Sequence, residues 1–328
     1  MSAGRTVGVL LAAFGVVAGA LTGCSSSSPA RPVHRTTQSA HPGSPAAPAR
    51  GTSDSGTPSA SAVNTTVGTV LTRAIPGGSS GFKPRQALIY LPPAARSHPH
   101  ERFPVLVLLH GTPGAPTRWI NAGNARATLN AFAAAHSGRA PVVVMPDVNG
   151  SEHADTECIR TTYGADVEKY LLDVVPAWIL AHLPVTRDRA RWGIAGLSEG
   201  GTCALMLGLR GTPGWGFVGD FSGLKRPTVG PTDDMADTVK ELFGGSESAY
   251  DAHDPSLLLA RHRYPHLAVW FECGNDDGTV LNDQSMLARL ARRTVGAVKV
   301  ATVPGGHTWK VWQESLRSTL PWFWTHSG

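Results

Sequence analysis

The stretch Gly196-Leu197-Ser198-Glu199-Gly200 constrains this chain more than any other, because of what flanks it. Residues 190–195 before it read as a short buried strand. Residues 201–210 after it read as a helix with small residues in its first turn. A strand-to-helix switch this tight holds the serine in a strained conformation. The glycines two before and two after it let strand and helix approach without a Cβ clash. In a chain with 37 glycines the pentapeptide alone means little. Its setting makes Ser198 the candidate nucleophile and demands a fold in which a helix packs back on the strand it follows.

The N-terminal part has a different character. Residues 7–22 form an apolar run of about 16 behind Arg5, ending in Leu21-Thr22-Gly23-Cys24. A charged start, an apolar core and small residues before a cleavage point are the layout of an export signal. The run falls short of the roughly 20 residues of a spanning helix. Leu-Thr-Gly-Cys resembles a lipobox, in which the cysteine is acylated and becomes the new N-terminus. The expectation is a signal peptide over 1–23, lipidation at Cys24 and anchoring on the outer face of the cell membrane. Residues 24–64 are rich in Ser, Pro, Ala and Thr, and no Phe, Tyr or Trp occurs between Phe14 and Phe82. Such a segment buries too little apolar surface to offset its ordering entropy. It reads as a disordered tether with a reach of roughly 35 Å.

Residues 65–328 hold all nine tryptophans and suffice for one large catalytic domain. The net charge of +5 comes from scattered Arg and Lys. With no basic helix and no interleaved aromatics, it argues against a nucleic-acid partner. No C-x-x-C or H-E-x-x-H spacing marks a metal site, and Pro265 separates His262 from His266.

Apolar strand-like runs alternate with helix-period segments, which predicts an α/β fold with a mostly parallel sheet covered on both faces. Strands are expected at 67–75, 85–91, 104–109, 141–146, 190–195, 217–220, 267–273 and 298–303. Helices are expected at 122–136, 167–183 with a bend at Pro176, 201–210, 283–293 and 309–324. Long loops occupy 147–164 and, with short helices, the region before 263.

A serine hydroxyl needs a base to take its proton, and the base needs a third group to hold it. After such an elbow the partners follow in the order acid, then histidine. His307 lies in Val303-Pro304-Gly305-Gly306-His307, directly after a strand, whereas His253, His262, His266 and His326 lack that context. The acid should end the preceding strand, where Asn275-Asp276-Asp277-Gly278 offers two aspartates; Asp220, one strand earlier, is a third candidate. Asp277 is preferred, with the other two left open. Two backbone N–H groups must hold the oxyanion. Glu199 supplies one, and Thr112 in His110-Gly111-Thr112-Pro113-Gly114 supplies the other, since Pro113 has no N–H. The Glu199 side chain is expected to turn away to the helix N-terminus.

Together these residues resemble the esterase family of α/β-hydrolases that includes esterase D (S-formylglutathione hydrolase), enterochelin-type and feruloyl esterases, and secreted mycolyltransferases. The likeness runs from about Gln86 to Trp324 through Leu109-His110-Gly111, the elbow, Phe221-Ser222-Gly223, Gly274–Asp277 and Gly305-Gly306-His307-Thr308-Trp309. The family places its acid three residues after a glycine, which here is Asp277. Glu199 departs from the Met or Gln often found after the nucleophile.

The resemblance implies an α/β-hydrolase fold, a serine esterase that needs no cofactor, and an ester substrate such as a cell-envelope lipid or other acylated molecule. It also leaves open an acyltransferase that hands the acyl group to a sugar or lipid hydroxyl. A non-catalytic binding lipoprotein is the reading from a different class, and the ordered Ser, Asp and His argue against it. Trp119, Asn121, Asp147 and Asn149 sit where they could line the pocket, although packing or turn formation would explain each as well. Three pairings of Cys158, Cys203 and Cys273 are possible. Position favours Cys158 with Cys203, a bridge that would pin the 147–164 loop to the elbow helix.

Overall fold

The runs Val105-Leu106-Val107-Leu108-Leu109 and Val142-Val143-Val144-Met145 carry no polar side chain, so both faces of the strands they form must be covered. In the computed structural model, which describes residues 66–327 apart from 163, 212–213 and 230–233, they are. Val105, Val107, Val142, Val144 and Ile194 face one apolar core. Leu106, Leu108, Val143, Met145 and Ala195 face the other. The period-2 alternation of a strand divides the same sequence between two cores. The expected signal peptide, Cys24 and the tether lie outside the described residues.

The sheet has eight strands: β1 (Thr69–Arg73), β2 (Ala87–Leu91), β3 (Val105–Leu109), β4 (Val142–Met145), β5 (Trp192–Leu197), β6 (Phe217–Phe221), β7 (Tyr264–Gly274) and β8 (Val295–Val303). Their spatial order is β1-β2-β4-β3-β5-β6-β7-β8. β1 and β2 pair antiparallel, as do β2 and β4, and the rest are parallel. On the second core pack the helices Ala125–Ala135 and Trp309–Ser327, through Leu129, Phe132, Leu316 and Phe323. The first core is closed by the elbow helix Glu199–Arg210, Val175–His182 and Gly278–Thr294, through Leu205, Ile179 and Leu287. This is the expected doubly covered α/β sheet.

The winding reverses at β3. β4 lies on one side of it and β5 on the other, so a crevice opens at the carboxyl ends of β3 and β5, where α/β sheets take their ligands. The loop after β3 and the turn after β5 meet there.

Two expected helices differ from those observed. The segment from residue 167 forms a short helix Val167–Lys169, a π-helical turn Tyr170–Val174, and then the helix Val175–His182. Pro176 has no N–H for the carbonyl four residues earlier, and the wider turn accommodates that loss. The helix expected at 283 starts at Gly278, immediately after Asp277. Among the described residues no helix is long and apolar enough to cross a membrane.

Cys158 and Cys203 are joined in a disulfide with a Cα–Cα distance of 5.7 Å, and Cys273 is free and buried. Burial pushes the Cys273 thiol up to about 12. Glu157 and Cys158 both adopt positive φ, 45° and 55°. The loop is thus pulled against the elbow helix through a backbone that L-residues seldom adopt. The bridge closes a sequence separation of 45 residues. Replacing both cysteines by alanine is therefore expected to cost about 4 kcal/mol in the chain-entropy account. Urea unfolding of the double variant against the oxidised parent measures it, and equal midpoints would contradict it.

Candidate active site

Ser198 stands between β5 and the elbow helix with φ 55° and ψ −127°. A side chain at this φ is strained and persists only where its surroundings hold it. A Cβ at Gly196 would collide with the Gly200 carbonyl, and one at Gly200 with the carbonyl of His110. Both glycines are therefore steric requirements of the turn. The Ser198 N–H donates to the Phe221 carbonyl (2.9 Å), and its own carbonyl accepts from Gly201 N (2.8 Å) and Thr202 N (3.1 Å).

His307 comes from the loop after β8. Its Nε2 lies 2.8 Å from Ser198 Oγ, and its Nδ1 lies 3.1 Å from each Asp277 carboxylate oxygen. Its ring meets Trp312 edge-on, with centroids 4.9 Å apart. Asp277, after β7, is buried while Asp276 beside it is exposed. The two loops are locked together: Gly305 N donates to Asn275 Oδ1 (3.0 Å), and Asp276 N donates to the Gly305 carbonyl (2.9 Å). Asn275 was not singled out from the sequence, where it is one polar residue among several in a turn.

Asp220 is fully buried and does not reach His307. Its Oδ1 accepts from Gly223 N–H (2.9 Å), and burial raises its carboxyl to about 7. It braces the turn after β6.

The loop after β3 comes close to Ser198. A Cβ at Gly111 would be 3.0 Å from Ser198 Cβ, so only glycine permits the approach. Thr112 and Glu199 both line the space around Ser198, and among the described residues neither backbone N–H is committed to a protein acceptor. This leaves both donors free for an oxyanion.

The four residues expected in the pocket line neither cavity beside Ser198. Trp119 is wholly buried, its Nε1–H donates to the Leu109 carbonyl (2.9 Å), and it packs edge-on against Trp309. Asn121 points to solvent. Asp147 is buried beneath the loop, where Arg85 grips it at 2.6 and 3.0 Å and His110 Nε2 lies at 3.1 Å. Burial works to raise its carboxyl, but the hydrogen bonds from His110 and Arg85 prevail and hold it well below the carboxylate range. Asn149 is buried too, with its Nδ2 donating to Glu199 Oε2 (2.8 Å) and its Oδ1 accepting from Thr156 N (3.1 Å). Trp119, Asp147 and Asn149 support the site from behind. The Glu199 side chain, in the first turn of the elbow helix, is buried against Asn149. Burial, then the charge of Asp155, pushes its carboxyl well above the ordinary range.

Two cavities flank Ser198. One, of about 450 Å³, is walled by Arg118, Leu197, Trp309 and Trp312. The other, of about 500 Å³, is walled by acids and hydroxyls. A larger cavity of about 710 Å³ lies against Trp215 and Tyr264 and contains none of Ser198, Asp277 and His307.

The chain is 36% identical over 250 residues to an uncharacterized protein of Corynebacterium glutamicum. The match covers 74% of this chain and 58% of that relative, so the chain spans little more than half its length. A ferulic acid esterase structure superposes with a TM-score of 0.69 at 22% identity, covering 80% of this chain and 99% of that one. An S-formylglutathione hydrolase from Agrobacterium tumefaciens gives 0.65 at 18%, covering 79% and 95%. At such identities these two establish the fold. The profile of the Esterase family (putative esterase) matches residues 82–323, which include Ser198, Asp277, His307 and the loop after β3, and the chain belongs to that family.

Proposed function

We propose that the chain is a serine esterase working through an acyl-enzyme on Ser198. The observation that carries this reading is the 2.8 Å contact of Ser198 Oγ with His307 Nε2, backed by Asp277 on the far ring nitrogen. Ser198 Oγ attacks the ester carbonyl while His307 Nε2 takes its proton. The carbonyl oxygen becomes an oxyanion held by the N–H groups of Thr112 and Glu199. The bond to the alcohol oxygen breaks, and His307 returns the proton to the departing alkoxide. Water then repeats the sequence on the acyl-enzyme, releasing the carboxylic acid and restoring the serine.

A fluorophosphonate probe tests this directly. It should label Ser198, as read by mass spectrometry of the labelled peptide, and labelling should abolish turnover of 4-nitrophenyl esters. Labelling at another serine, or none, would remove the assignment. The same assay with an added sugar or lipid alcohol separates hydrolysis from acyl transfer, since a transferase delivers the acyl group to the alcohol ahead of water.

The envelope setting belongs to the same proposal. Leu21-Thr22-Gly23-Cys24 and the polar 24–64 stretch support an exported, lipid-anchored enzyme whose ester substrate is acylated material of the cell envelope. A Cys24→Ala precursor should leave the membrane fraction for the soluble one. Its retention at parental levels would favour an uncleaved apolar anchor.

A further inference from the structure

The ester chemistry leaves one wall of the 500 Å³ cavity unused. Asp155 and Glu157 from the disulfide-tied loop line it together with Glu199, and Thr202 and Ser222 add hydroxyls. No lysine or arginine lines this cavity. Glu157 and Glu199 are 3% and 6% exposed. Asp155 Oδ1, Glu157 Oε2 and Glu199 Oε1 have no hydrogen-bond partner. Ser222, from a different element, is wholly buried at φ 55°, and its hydroxyl is likewise without a partner. The second oxygens are occupied, Glu199 Oε2 by Asn149 and the Asp155 carboxyl by a hydrogen bond with Glu199, so four polar atoms on one wall are left without a partner, which is costly in a folded protein. Burial, followed for Glu157 and Glu199 by the charge of Asp155, raises all three carboxyls, Asp155 to about 6.

We propose that this wall is a specificity subsite for a cationic group, so that the preferred ester carries a protonated amine on the arm lying in this cavity. The proposal rests on the serine-esterase reading above and names the substrate class for that same site. Three carboxyls with no lysine or arginine along the cavity repel one another when ionised, and an ammonium group would turn that repulsion into attraction while supplying the missing donors. Sugar hydroxyls would supply donors but leave the repulsion in place. A metal ion fits less well. Among the described residues the set of potential ligand atoms lying within 4.8 Å of one another is Cys158, Glu199 and Cys203, and both sulfurs are spent in the disulfide. The three carboxyls instead form a wall, which suits an extended organic cation.

The test uses the oxidised full chain and two matched pairs of esters. In the first the acyl arm differs: 4-nitrophenyl 6-aminohexanoate against 4-nitrophenyl heptanoate. In the second the alcohol differs: 2-(dimethylamino)ethyl acetate, protonated at neutral pH, against 3-methylbutyl acetate. Expected is a preference in kcat/KM of about tenfold or more for the cation in one pair. Glu157→Gln should lower kcat/KM for that cationic ester several-fold more than for its neutral partner. Asp155→Asn carries the same comparison should Glu157→Gln fail to fold. A smaller preference in both pairs, or one that the variants leave intact, overturns the subsite while turnover of the neutral esters keeps the esterase standing. A glucose ester preferred over both pairs would overturn it in favour of a polyol. No turnover of any ester and no fluorophosphonate labelling would overturn the esterase reading and the subsite together.

Discussion

Replacing Ser198 or His307 by alanine is expected to lower kcat by about 10⁴-fold or more, with the Ser198→Ala/His307→Ala double variant little worse than either. In the proposed mechanism the two side chains act as one unit across the 2.8 Å Nε2–Oγ contact, so either loss would end covalent catalysis. The residual rate is what the two N–H donors and substrate binding still provide. Both variants should fold, because neither side chain fills a core: His307 is 40% exposed, and alanine at 198 accepts the same backbone as serine. Steady-state kinetics on an activated ester, with circular dichroism to verify folding, settles the matter. Retention of a tenth of the parental kcat by either variant would remove it from the mechanism.

Asp277→Asn is expected to cost about 10⁴-fold in kcat. The carboxylate faces His307 Nδ1 with both oxygens at 3.1 Å, so it holds the tautomer in which Nδ1 carries the proton and Nε2 is free to accept. An amide in its place can turn its NH₂ to Nδ1 and stabilise the opposite tautomer, whose Nε2–H cannot take a proton from serine. Asp276→Asn and Asp220→Asn supply the contrast, with losses expected within about tenfold. Asp276 is exposed, and asparagine at 220 keeps the acceptor for Gly223 N–H. A comparable loss at Asp220 would place the acid one strand earlier.

What was legible in the sequence is what local pattern encodes. The serine turn shows itself because glycines are sterically required at 196 and 200. His307 stands out because two glycines precede it at a strand end, and the eight strands because apolar runs of the right length punctuate the chain. The contributions of Trp119, Asp147 and Asn149 were not legible. A tryptophan near a loop can equally face a cavity or a core, and only tertiary neighbours decide that it donates to Leu109. Asp147 at a strand end carries no mark that Arg85, 62 positions away in sequence, will hold it. Asp155 and Glu157 were invisible for the same reason, being two acids in a polar loop until the bridge from Cys158 brings them to Glu199. The helix start was misplaced because Asn275-Asp276-Asp277-Gly278 reads as a turn, and the helix begins within it.

The order of the strands also bears on when and how activity appears and disappears. Ser198 follows β5 in the middle of the sheet, whereas His307 follows β8, which pairs with β7 alone and forms the sheet's edge. Ser198 and His307 are 109 positions apart, so their contact closes a long loop and must await the pairing of β6, β7 and β8. Edge elements also open at lower free energy than central ones. Turnover during refolding is thus expected to be a late event, following the secondary structure. In denaturant it is expected to be the first signal to fade, because fraying of one outer strand would unhook the histidine while the turn holding Ser198 remains intact.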